Sequence, residues 1–88
     1  MKSVRVIVSG QVQGVFFRAF CKERADLLGL KGYVKNIDDD VELVLECPSE
    51  NIEKMLELVK QGPPGSEISN VKYKNQKTAG FKDFKILL

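Results

Sequence analysis

The chain has 88 residues, a length that predicts one domain over residues 1–88 around one modest core. Its 14 basic and 12 acidic side chains leave a net charge of +2, too little to mark a nucleic-acid binder yet compatible with an anionic ligand. Histidine is absent, which excludes imidazole acid-base catalysis and His-dependent triads and removes the commonest zinc ligand.

Residues 3–9 are β-branched and alternating, with Val4, Val6 and Val8 on one side, and predict a strand. Gly10 and Gly14 punctuate a loop, after which Phe17, Phe20, Cys21, Ala25 and Leu28 recur at helical spacing up to Gly29, a Schellman-type stop before Leu30. Residues 31–37 and 41–47 read as two strands, joined by a turn at Asp38, Asp39 and Asp40. Ser49 is the expected cap of a second helix, which carries Ile52, Met55, Leu56 and Val59 on one stripe and ends at Gly62-Pro63-Pro64-Gly65. Val71 and Tyr73, then Phe84, Ile86 and Leu88, alternate with polar or outward residues and close the chain with two more strands. No apolar run reaches the roughly 7–15 residues of a signal core or the roughly 18 of a membrane span, so a soluble, cytoplasmic protein is expected.

The order βαββαββ, with one apolar stripe per helix, predicts a ferredoxin-like α+β sandwich: an antiparallel sheet, two helices on one face and an extra C-terminal strand. A right-handed crossover makes the first two strands parallel, so the loop from Gly14 to Arg18 and the strand end at Asn36 should meet at one edge of the sheet. The third strand carries Cys47 away from that edge, while Cys21 lies early in the first helix. A disulfide between them is therefore not expected, and both read as buried small apolar side chains.

The segment Gly10 to Arg18 leaves a strand and enters a helix, where unpaired N–H groups and the positive end of the helix dipole converge. Glycine at 10 and 14 permits the positive φ and close approach that an amide nest for phosphate requires. The segment matches neither the Walker loop nor the dinucleotide fingerprint. Arg18 falls in the first helical turn, where a cation opposes the dipole unless an anion is bound beside it, and its forked guanidinium suits phosphate oxygens. The Asn36 amide can both donate to and accept from a water held over phosphorus. Spacing by itself leaves the plainer alternatives standing: a ligand-free turn, a surface arginine and ordinary turn chemistry at Asn36.

Gly10-Gln11-Val12-Gln13-Gly14-Val15-Phe16-Phe17-Arg18 resembles the first signature of the acylphosphatase family, Gly-x-Val-Gln-Gly-Val-x-Phe/Met-Arg. Gly32-Tyr33-Val34-Lys35-Asn36 resembles the second, Gly-aromatic-Val-x-Asn, and the likeness extends through Leu28-Gly29-Leu30, Gly62-Pro63-Pro64 and Phe84-Lys85-Ile86. The resemblance implies an enzyme that hydrolyses carboxyl-phosphate mixed anhydrides, with Arg18 binding the phosphate, Asn36 positioning the water, and the backbone of Gln13, Gly14, Val15, Phe16, Phe17 and Arg18 forming the phosphate-binding loop. It implies no metal and no cofactor, a small acyl phosphate as substrate and inorganic phosphate as product. The expected protein is monomeric, with no nucleic-acid or membrane partner. One departure is the Asp38-Asp39-Asp40 turn where the family often has Asp-Gly. Aspartate tolerates a left-handed backbone, but three carboxylates near the mouth repel anionic substrates.

An acyl phosphate releases a carboxylate of pKa near about 4, so the leaving group needs no general acid and a site without histidine suffices. Two other readings stand beside this one. A non-catalytic ferredoxin-like module would bind RNA or protein on its open sheet face, but the first and third strands carry no aromatics for stacking. Alternatively, a carbamoyl-phosphate-handling protein would keep the same site with a different donor.

Overall fold

The computed structural model describes residues 1–14, 16–47 and 49–87. The expected loop residue Val15, the Pro48 junction, the capping side chain of Ser49 and the strand end at Leu88 lie outside what it describes. Its elements run β1 (Lys2–Gln11), α1 (Phe17–Leu27), β2 (Lys31–Ile37), β3 (Asp40–Cys47), α2 (Ser49–Gln61), β4 (Glu67–Gln76) and β5 (Phe84–Ile86). Among the described residues these strands form one sheet in the order β4-β1-β3-β2-β5.

The pairs β1–β3, β1–β4 and β2–β3 are antiparallel, so β1 and β2 run the same way on either side of β3. The antiparallel expectation fails at one edge, because β5 pairs in parallel with β2. The cause is topological: the chain leaves β4 at one edge, crosses to the other and re-enters beside β2 in the same direction. Alternation sorts the side chains as the sequence predicts. Val4, Val6 and Val8 of β1 and Val41, Leu43 and Leu45 of β3 are buried under the helices. Phe17, Cys21 and Ala25 descend from α1, and Ile52, Met55, Leu56 and Val59 from α2, into the same core. Burial of each valine, leucine, isoleucine, methionine or phenylalanine among them is worth about 1.5–3 kcal/mol before cavity terms. Helix α1 lies over β2 and β5, and α2 over β3, β1 and β4.

Helix α1 ends as its sequence specifies. The Gly29 N–H donates to the Asp26 carbonyl at 3.2 Å and the Leu30 N–H to the Ala25 carbonyl at 2.9 Å, the paired bonds of a Schellman motif. Two glycines are required by packing as well as by φ. At Gly10, where the β1–β4 register shifts, a Cβ would lie 2.1 Å from the Glu67 carbonyl oxygen. At Gly32 it would lie 1.8 Å from that of Val44. Cys21 and Cys47 form no disulfide, and burial raises both thiols above their ordinary values.

The sheet face away from the helices holds two buried carboxylates, Glu42 and Glu46. Glu42 accepts from Arg5 Nε and from the Tyr33 hydroxyl, each at 2.7 Å, with Lys35 Nζ 3.8 Å away. Partial burial first, then the Glu42 hydrogen bond and charge, push the Tyr33 phenol up to about 12.

Candidate active site

The loop after β1 enters α1 without a side-chain cap. Gly14 has φ 76°, and Phe16 at the N-cap position is left-handed (φ 59°, ψ 28°) and makes no capping hydrogen bond. The first turn of α1 also carries no acidic residue. Its leading N–H groups and positive dipole end are therefore offset by neither a capping oxygen nor a carboxylate from that turn. Arg18 adds a full positive charge to the same end. An anion is the ligand such a helix start favours.

Arg18 is half-buried, and its Nη1 donates to the Leu87 carbonyl at 3.4 Å, its one polar partner among the described residues. Leu87 is itself held to β2, its N–H donating to the Val34 carbonyl at 2.8 Å. The guanidinium thus rests against the end of β5, which is tied to the strand that carries Asn36. Asn36 is exposed and shares the helix-side face of β2 with Val34, two residues before it.

Gln13 connects the two halves. Its Nε2 donates to the carbonyl oxygens of Asp38 at 2.8 Å and Asp40 at 2.9 Å, spanning from the loop to the β2–β3 turn. Asp38 adopts φ 53°, a left-handed conformation that aspartate tolerates better than most residues. The side chain of Gln13 therefore engages the hairpin turn.

A cleft of about 390 Å³ lies between these elements. Of the residues expected at the site, Gln13, Gly14, Phe16, Phe17, Arg18 and Asn36 all line it; Val15 lies outside the described residues. Val12, Ala19 and Ile86 complete the wall and were not singled out from sequence. The alternation of Phe84 and Ile86 was the available signal for Ile86, since it puts both on one face of the last strand.

The family model for acylphosphatase matches residues 4–86. The acylphosphatase of Methanocella arvoryzae is 45% identical over 87 residues, covering 98% of this chain and 99% of that one. The crystal structure of acylphosphatase from Bacillus subtilis superposes with a TM-score of 0.97 at 38% identity and covers 100% of both chains. T. kodakarensis HypF contains a similar unit, with a TM-score of 0.87 and 36% identity, which covers 100% of this chain and 12% of that one.

Proposed function

The chain belongs to the acylphosphatase family, enzymes that hydrolyse acyl phosphates, and we propose that Arg18 and Asn36 carry that reaction on a phosphate-binding loop formed by residues 13–18. The single observation that supports these roles is that one cleft is lined by Arg18, Asn36 and the start of an α1 helix that lacks both a cap and a first-turn carboxylate.

In this reading the amides of the loop and the Arg18 fork hold the phosphoryl oxygens and spread the charge that develops on them. Asn36 holds a water in line. The water oxygen bonds to phosphorus while the bond from phosphorus to the carboxylate oxygen breaks, its electron pair leaving on the carboxylate. One water proton passes to a phosphate oxygen of the substrate. The carboxylate departs unprotonated, which is why neither imidazole nor a metal is called for.

The same reading takes residues 1–88 as a single domain, acting as a cytoplasmic monomer on a small acyl phosphate and independent of nucleic acid, membrane, metal and cofactor. Among the described residues no helix is long and apolar enough to cross a membrane. Steady-state hydrolysis of benzoyl phosphate in the presence of a chelator tests the reading, and chelator-sensitive turnover would refute metal independence.

Asn36→Ala is expected to lower kcat by about a hundredfold and to change inhibition by inorganic phosphate less than about threefold, because the amide acts on water and not on the anion. Equal losses in both constants would make Asn36 a phosphate ligand. Gln13 acts through Asn36 by holding the hairpin turn. Gln13→Met, which removes the donor at similar length, is expected to lower kcat about tenfold in the parent and about twofold or less in the Asn36→Ala background. Additive losses would show that Gln13 does not work by placing Asn36.

A further inference from the structure

Phe16 breaks two local rules at once. It is 86% exposed, although an aromatic side chain is favoured inside. It also holds a left-handed backbone, which suits glycine, asparagine or aspartate far better than a bulky residue. Among the described non-glycine residues only Asp38 shares that conformation. Nothing in the anion cradle calls for a phenyl ring at this position, since the loop contributes backbone amides there. Local rules broken together in this way concentrate at functional sites.

The surroundings indicate what the ring is for. Phe16 lines the cleft that Arg18 and Asn36 share, and Ala19 and Ile86 line it too. Ile86 is 40% exposed. Its pairing opposite Val34 turns it to the helix side of the sheet, where Asn36 also lies. The cleft of about 390 Å³ falls within the range of roughly 300–1,000 Å³ typical of small-molecule sites. That is more room, and more apolar wall, than a tetrahedral anion uses. On the neighbouring β2–β3 turn, Asp38 and Asp39 are exposed, and the Gln13 bonds hold that turn beside the cleft. Those carboxylates disfavour an acyl group that carries its own negative charge.

We propose that Phe16, Ala19 and Ile86 form an apolar subsite for the acyl half of the substrate, and that the ring of Phe16 sets how strongly this enzyme distinguishes a bulky apolar acyl group from a small one. The inference rests on the acyl-phosphate reading above and adds to it the residues that contact the acyl group. The phosphoryl half sits on the loop amides and Arg18, and the acyl half is covered by the ring of Phe16, which becomes buried only when substrate is present. Apolar surface left exposed in the free protein then contributes to binding.

The test is the ratio of kcat/KM for benzoyl phosphate to that for acetyl phosphate, in wild type, Phe16→Ala, Phe16→Asn and Ile86→Ser. Intrinsic reactivities differ between the two substrates but cancel when ratios are compared between variants. Phe16→Asn keeps a residue that tolerates the left-handed backbone, so it separates loss of the ring from damage to the loop. The ratio is expected to fall about tenfold in both Phe16 variants and about threefold in Ile86→Ser. A ratio unchanged in all three variants, whether the two constants fall together or not at all, overturns the subsite and leaves Phe16 as a loop or partner-facing residue. Wild type that hydrolyses neither substrate is a different result, and it overturns the hydrolase reading along with the subsite.

Discussion

Arg18→Ala is expected to lower kcat/KM for benzoyl phosphate by at least about a thousandfold while the circular dichroism spectrum stays that of the wild type. The magnitude follows from the task assigned to the side chain. A preorganised cation on a transferring phosphoryl group is worth about 10³–10⁵ in rate, more than a single neutral donor supplies. Folding should survive because the one described polar contact of Arg18 is a 3.4 Å bond to the Leu87 carbonyl. Removing a cation from the first turn of α1 also relieves its opposition to the dipole, so the variant should be no less stable than the parent. Arg18→Lys is the sharper version. An ammonium restores the charge without the planar fork, and it should recover less than about tenfold of the loss. If either variant kept more than about a tenth of wild-type turnover, the phosphate would have to be held by the loop amides alone.

Much of this arrangement is legible in the sequence because it depends on local signals. The stripe at Phe17, Cys21 and Ala25 and the stop at Gly29 specify α1 through periodicity and φ, and the structure closes that helix with the bonds a Schellman motif requires. The meeting of the Gly14–Arg18 loop with Asn36 follows from chain direction, because two parallel strands carry their ends to the same edge. Side-chain reach is what escapes such reasoning. Gln13 reads as one amide among several in a loop, yet its side chain spans to two carbonyls 25 and 27 residues away. The parallel edge escapes for a similar reason. Residues Phe84–Ile86 alternate as any strand would, and nothing local says which edge they join. That choice is made by the segment between β4 and β5, whose anchor is a single buried side chain on β3.

That anchor is Glu46. It is 1% exposed, and its carboxylate accepts the N–H groups of Ala79 at 2.5 Å, Gly80 at 3.1 Å and Phe81 at 3.2 Å. Three successive amides converging on one carboxylate fix the segment that crosses from β4 to β5, and the Phe81 ring, edge-on to Tyr33 at 5.8 Å, closes it against β2. Burial by itself would raise the Glu46 carboxyl; the hydrogen bonds from the three amides and from Ser3 outweigh it and hold the carboxyl below its ordinary value. Glu46→Gln replaces one acceptor by a donor facing donors and is expected to cost about 2 kcal/mol, which at a slope of about 1 kcal/mol/M moves the urea midpoint down by about 2 M at pH 7. The sign of the pH dependence follows from the depressed carboxyl. Its stabilisation is fully present above the unfolded value of about 4.3 and is lost as pH falls through the lower folded value, so wild type and variant should converge in that range. Glu42 is also lowered, with Tyr33 and Arg5 outweighing its burial, and it remains in both proteins, so its acid loss cancels in the comparison. Equal midpoints at pH 7 would show that the crossing segment is held without Glu46, and a gap that persists undiminished to pH 2.5 would show that the carboxylate's charge is not what holds it. Because the anchored segment delivers Ile86 to the cleft and the Leu87 carbonyl to Arg18, the variant should also lose turnover at lower temperatures than wild type. The stability of the helix-free face thus reaches the chemistry on the other side of the sheet through β5.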